Sequence, residues 1–188
     1  DGGVGVVEIR TFVRDLSTLL HNELRRLEAG GMRALVLDLR GCPGGDLDAA
    51  LALADDFLDR GALLATRLDP DGDEVPIHAR QGDPYAFPLA IVVDGGTASA
   101  AELFAGCMQA HGRAVVVGER TYGKGSTQRL VPGFSSPGAR YETVATFVLP
   151  GGAPIEGRGV SPDVEAPAAR ALDAAFEAMT EDLQQEVR

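Results

Sequence analysis

A single α/β domain is the fold class that the sequence predicts, on three observations. Short apolar runs at 34–39, 89–93 and 114–117 read as buried strands, and amphipathic stretches at 47–59 and 99–110 separate them. The first two runs each enter their helix through a glycine-rich turn. With 188 residues, no internal repeat and no dividing linker, the chain is expected to form one domain over 1–188.

Taken in order, residues 4–10 alternate loosely and predict a strand. From 15 to 28, Leu16, Leu19, Leu20, Leu24 and Leu27 recur at a helical period, and Gly30 and Gly31 stop the helix. The run at 34–39 has the character of a strand buried on both faces of a sheet covered by helices. After the turn at 41–45, Leu47, Ala50, Leu51, Ala54, Phe57 and Leu58 mark the inner face of the next helix. A strand is expected at 63–68, followed by a polar, turn-rich excursion over 69–84. The strand at 89–93 turns at 94–97 into the helix at 99–110. A strand at 114–117 ends in a loop over 118–126. Strands at 128–131 and 141–149 flank a Gly-, Pro- and Ser-rich hairpin. A last helix at 168–184 carries the stripe Leu172, Ala175, Phe176, Met179 and Leu183, which needs a surface to cover: its own core or a second copy of the chain.

The formal charge of −11 and pI near 4.6 argue against nucleic acid as the partner. No apolar run is long enough to cross a bilayer, so a transmembrane chain is not expected. Two cysteines, Cys42 and Cys107, without a CxxC pair, exclude a disulfide scaffold and a thiolate metal cluster, and no metal or cofactor is expected. Among 17 basic residues Lys124 is the one lysine, and lysine, unlike arginine, can give up its proton at an accessible cost.

Ser99 stands where the turn Asp94, Gly95, Gly96, Thr97 becomes a helix, close to free N–H groups and the positive helix end. A nucleophile there would have its developing charge stabilised. The plainer reading is an N-cap, since Ser99 and Glu102 form a capping-box pattern. A serine nucleophile needs a base. His111 lies at the far end of the same helix, roughly 18 Å away, and His21 and His78 read as surface residues. Lys124, in the loop after the next strand, can return to the same sheet edge and take the hydroxyl proton if burial keeps its amine neutral. Gln128, four residues on, could orient that amine without adding charge. Glu119, the nearest acid, should then point away. The glycines at 41–45 could expose an N–H as an oxyanion donor, although such a turn is more often a plain strand-to-helix connection.

Gly118 to Lys124 also fits the first seven places of a P-loop, but Gly125 stands where Ser or Thr should hold magnesium. The residues that follow are β-like where a P-loop opens a helix.

Four stretches, with a fifth closing the set, resemble the catalytic core of the C-terminal processing peptidases, or tail-specific proteases. They are 6–12, ALVLDLRGCPGG at 34–45, GGTASAAE at 95–102, GRAVVVGERTYGKGSTQ at 112–128, and GRGVSPD at 157–163. The resemblance runs from about 4 to 164. It implies a serine endopeptidase with a Ser-Lys dyad, and a fold like that of Clp-type proteases and crotonases. Ser99 takes the place of the nucleophile, Lys124 of the general base and Gln128 of the residue supporting it. Ala100 N–H and a glycine of the turn, Gly45 ahead of Gly44, take the places of the oxyanion donors. It also implies protein or peptide substrates with unstructured tails, and an exported or periplasmic setting. Assembly with further copies is left open. The chain departs from many relatives at Cys42 (Asn), Thr97 and Ala101 (Ser) and Ala110 (Asp). Relatives usually carry a PDZ domain before the core, and the sequence given starts at the core, either because that domain was cut away or because this member never had one. The alternatives are a non-catalytic peptide-binding core of the same fold, and a crotonase-like acyl-CoA enzyme, which the charge and single lysine disfavour.

Overall fold

A computed structural model describes residues 3–132 and 139–185, with the side chains of 129–132, 139–141 and 185 left aside. Five parallel strands, β1 (Val4–Glu8), β2 (Ala34–Asp38), β5 (Leu89–Val93), β6 (Val115–Gly118) and β9 (Val164–Glu165), lie side by side in that order. A second, antiparallel sheet runs β4 (Glu74–His78), β3 (Leu63–Leu68), β8 (Ala139–Val148), β7 (Ser126–Pro132). Four helices complete the fold: α1 (Leu16–Ala29), α2 (Leu47–Asp55), α3 (Ala100–Ala110) and α4 (Ala168–Gln185).

The apolar strands are buried on both faces, as their composition requires. On one face Leu35, Leu37, Ile91, Val93 and Val116 pack with α1, α2 and α3. On the other, Ala34, Val36, Ala90, Val92 and Val117 meet Ala171, Ala175, Met179 and Leu183 of α4. These four recur every fourth residue, so they form one row along the helix, with Leu172 and Phe176 beside it. The apolar stripe of α4 is thus spent on its own sheet and not on a second copy.

Four elements differ from the sequence reading. α2, read over 47–59, ends at Asp55, so Phe57 and Leu58 are buried beyond its end rather than on its inner face. β4 lies within the stretch read as a polar excursion: it is an exposed edge strand containing Pro76, with no alternation to betray it. β9 has two residues, too few to show a period. Leu19 is 51% exposed because the buried row of α1 is Leu16, Leu20, Leu24. The tip of the β7–β8 hairpin, at 133–138, lies outside the described residues.

Candidate active site

Two glycine-rich turns at the carboxyl ends of β2 and β5 meet, and one carboxylate locks them. Asp94 Oδ1 accepts the N–H groups of Gly96 (2.8 Å) and Thr97 (3.1 Å) in its own turn and of Gly41 (2.8 Å) in the other. Thr97 Oγ1 donates to Leu39 O (2.8 Å), and Ala98 N–H donates to Cys42 O (2.9 Å). The two turns therefore form a fixed bracket.

Ser99 projects from this bracket with φ 58° and ψ −121°. It has the one positive φ among the described non-glycine residues. An ordinary N-cap sits in the extended region. A serine in this conformation carries about 1–3 kcal/mol of strain, sustained by its surroundings, and resembles the sharp strand-to-helix turns that present nucleophiles. Glu102 completes its half of the capping box, accepting Ser99 N–H at 2.8 Å. The cap pattern read from sequence is real, but it holds an atypical backbone.

Gly44 and Gly45 wedge against this turn. A Cβ on Gly44 (φ +93°) would stand 2.6 Å from Ala98 O and 2.8 Å from Ala100 N, so the close approach admits glycine alone. Gly45 pairs with Phe12 in an isolated parallel bridge: Phe12 N–H donates to Gly44 O, and Asp46 N–H to Phe12 O. In that pattern the N–H of Gly45 itself points to the side away from Phe12. Gly44 N–H lies against the Cys42 sulfur instead. Of the two glycines read from sequence, Gly45 lines the cleft beside Ala100, and among the described residues no acceptor holds its amide.

The loop after β6 is pinned by the same Glu102, which is fully buried. Besides Ser99 N–H, its carboxylate accepts Gly123 N–H (2.7 Å), Lys124 N–H (2.8 Å) and the Thr121 hydroxyl. One carboxylate thus ties the serine turn to the lysine loop, which sequence could not show because its partners lie some twenty residues downstream. Gly125 then leads into β7, with no helix following, as the rejection of a P-loop required. A register shift between Thr127 and Gln128 bulges β7 so that Ser126, Thr127 and Gln128 all border the cleft.

The cleft has a volume of about 310 Å³ and brings together Gly45, Ser99, Ala100, Lys124 and Gln128. Its floor is apolar: Leu47, Leu103, Phe147 and Ile155. Gly44 stands behind the serine turn. One expectation needs correction. Lys124 is exposed, not buried, because it stands at the mouth of an open cleft beside β7, the edge strand of its sheet. Among the described residues no hydrogen bond joins the Ser99 hydroxyl to the Lys124 amine, and no carboxylate pairs with that amine. Glu119 does point away, accepting Ala168 N–H at the start of α4 (3.0 Å).

The remaining candidates fall elsewhere. His111 contacts Leu63 O at the far end of α3, and His21 meets Tyr85 on α1. Cys42 and Cys107 are free and buried. Burial pushes both thiols up, Cys107 to about 12. Among the described residues no group of His, Cys, Asp and Glu could hold a metal ion, and no helix is long and apolar enough to cross a membrane.

Peptidase family S41 matches residues 3–166. A carboxy-terminal-processing protease of Bartonella bacilliformis is 34% identical over 169 residues, covering 87% of this chain and 39% of the relative. Carboxyl-terminal-processing peptidase 3, chloroplastic, of Arabidopsis thaliana is 33% identical over 162 residues, covering 86% of this chain and 31% of the relative. The structure of a photosystem II D1 C-terminal processing protease superposes with a TM-score of 0.79 at 33% identity, over 95% of this chain and 46% of that one. The chain therefore spans less than half the length of these relatives. On the family match and these identities, it belongs to peptidase family S41.

Proposed function

We propose that this chain is the catalytic core of a serine endopeptidase, folded as one domain, that cleaves unstructured segments of proteins. Ser99 Oγ attacks a peptide carbonyl while Lys124 Nζ, in its neutral form, accepts the hydroxyl proton and returns it to the leaving amine. The Gly45 and Ala100 N–H groups receive the oxyanion, and water, losing its proton to Lys124, resolves the ester. Gln128 supports the amine. The observation that carries this reading is the backbone of Ser99: a strained, positive-φ serine at a helix N-terminus, wedged against glycines that leave an amide free. The apolar floor suits an apolar side chain on the acyl side of the bond. The open edge of β7 suits a substrate docking as an added strand, and such a strand would cover Lys124 and exclude water from it. An extracytoplasmic setting belongs to the same proposal, and the Arabidopsis relative is itself named chloroplastic.

Acid-quenched mixtures of the chain with an unstructured peptide should contain an acyl adduct on the tryptic fragment bearing Ser99, detectable by mass spectrometry. An adduct elsewhere, or hydrolysis undiminished in Ser99→Ala, overturns the assignment. The exposure of Lys124 favours a second reading, a peptide-binding core without turnover. It predicts tight peptide binding with no cleavage by the unaltered chain.

A further inference from the structure

Three successive amides around Lys124 each donate to a carboxylate, but not to the same one. Gly123 and Lys124 N–H end on buried Glu102. Gly125 N–H ends on Glu156 at 2.8 Å, and Glu156 is an exposed residue from a different part of the chain. The segment that carries it, 155–160, lies across the lysine loop as a strap. Gly157 N–H donates to Gly123 O (2.9 Å), Thr121 N–H to Val160 O (3.1 Å), and Val160 N–H to Thr121 Oγ1 (2.7 Å). The approach is backbone on backbone: a Cβ on Gly125 would stand 2.7 Å from Glu156 N, and one on Gly159 2.4 Å from Thr121 O. Next to Glu156, Ile155 is 1% exposed and forms part of the cleft floor.

We propose that Glu156 is a positioning residue for Lys124, resting on the peptidase reading above: its carboxylate fixes the exit of the lysine loop, and the strap keeps that loop in register with the apolar floor. Glu102 holds the entrance of the loop from inside and couples it to Ser99, and Glu156 holds the far side. The backbone on both sides of Lys124 is then fixed while its side chain stays free to swing toward substrate. A charge on residue 156 is not what the role needs. It needs an oxygen acceptor at the end of a side chain of that length, because the donor is a neutral backbone amide.

The test compares Glu156→Ala with Glu156→Gln in the full chain, on one unstructured peptide substrate and by amide hydrogen exchange. Glu156→Ala should lower kcat roughly 10- to 100-fold with KM within about twofold, the size expected for a displaced catalytic group. Exchange should quicken in the fragment covering 121–126 and not in those covering β2 and β5. Glu156→Gln should restore both kcat and exchange protection, since its amide oxygen can accept the same N–H. Unaltered kcat in Glu156→Ala, or a Gln variant as impaired as the Ala variant, overturns the proposal. If the unaltered chain hydrolyses no peptide, the peptidase reading falls by itself. The exchange comparison then decides alone whether Glu156 holds the loop, and equal protection in all three proteins overturns it.

Discussion

On one side of the cleft Ser99 is packed in by backbone: Gly44 presses on it, Asp94 brackets its turn, and Glu102 accepts its amide. On the other side Lys124 has its own amide and both neighbouring amides accepted by carboxylates, yet its side chain is exposed. The difference is between a group whose place is set by packing and one whose place is set by its backbone alone. A hydroxyl on Cβ inherits the precision of the main chain directly. An amine four carbons further out inherits only its starting point, and the last few ångströms are left to whatever fills the cleft. On the peptidase reading proposed above, the serine half is built in advance and the lysine half is completed by occupancy.

The sharpest way to break this comparison is to remove the atoms proposed to react. Ser99→Ala and Lys124→Arg should each lower peptide hydrolysis by at least about 10³-fold, as the loss of a nucleophile or its base does. Arginine keeps the charge but stays protonated at any working pH. Both variants should unfold at the temperature of the unaltered chain, measured by circular dichroism, because neither side chain is part of the core. Substantial turnover by Lys124→Arg would show that the base is another group.

Next in size is the wedge. Gly44→Ala puts a methyl group within 2.6 Å of Ala98 O and 2.8 Å of Ala100 N at a φ that L residues avoid. The serine turn and the proposed oxyanion donor Ala100 N–H must shift together, so kcat should fall about 10²- to 10³-fold, the usual loss for one such donor. KM should change far less, since the apolar floor is untouched. Unaltered kcat would mean that the serine side tolerates displacement and is not preset.

Glu102→Gln probes the link between the two sides. The carboxylate accepts four donors, and an amide offers one oxygen and, in place of the other, an NH₂ facing those donors. Stability should drop by about 2–4 kcal/mol, read from urea denaturation, with kcat falling as the lysine loop loosens. A variant as stable as the unaltered chain would separate the two halves after all.

Much of this geometry is legible in the residue order. The runs at 34–39 and 89–93 declare strands buried on both faces, and the glycines after each declare the turns that place Ser99 and Gly45. Lys124 stands out by being alone among arginines. What was not legible is every contact whose partners are far apart in the chain. Glu102 reads as the partner of Ser99 three residues away, while its bonds to Thr121, Gly123 and Lys124 depend on the fold. Asp94 reads as the start of its own turn, while its hold on Gly41, 53 residues away, does not. Glu156 carries no periodic or motif signal, because a carboxylate that accepts backbone amides leaves no mark on the residues it holds. The exposure of Lys124 departs from the sequence expectation for a related reason: a base of the kind proposed needs a dry setting, and sequence does not say whether the protein or its substrate provides it.

The smallest effect expected is at the thiols, and it tests whether the serine side is as closely packed as its hydrogen bonds imply. Cys107 is fully buried on α3 among core residues, and desolvation lifts its thiol from an ordinary 9.0 to about 12. Since the thiolate is the reactive form, iodoacetamide at neutral pH should leave Cys107 unmodified in the folded chain and peptide hydrolysis unchanged. The same shift has a sign in stability. Between about pH 9 and 12 the unfolded chain releases this proton and the folded chain keeps it, so the thiol's contribution to stability is intact below pH 9 and declines as pH rises toward 12. Denaturation at pH 7 and pH 10 should therefore show a loss in the unaltered chain that is smaller in Cys107→Ala. Rapid alkylation of Cys107 at neutral pH, with activity lost in step, would mean that α3 opens beneath Ser99 and that the preset half of the site is the mobile one.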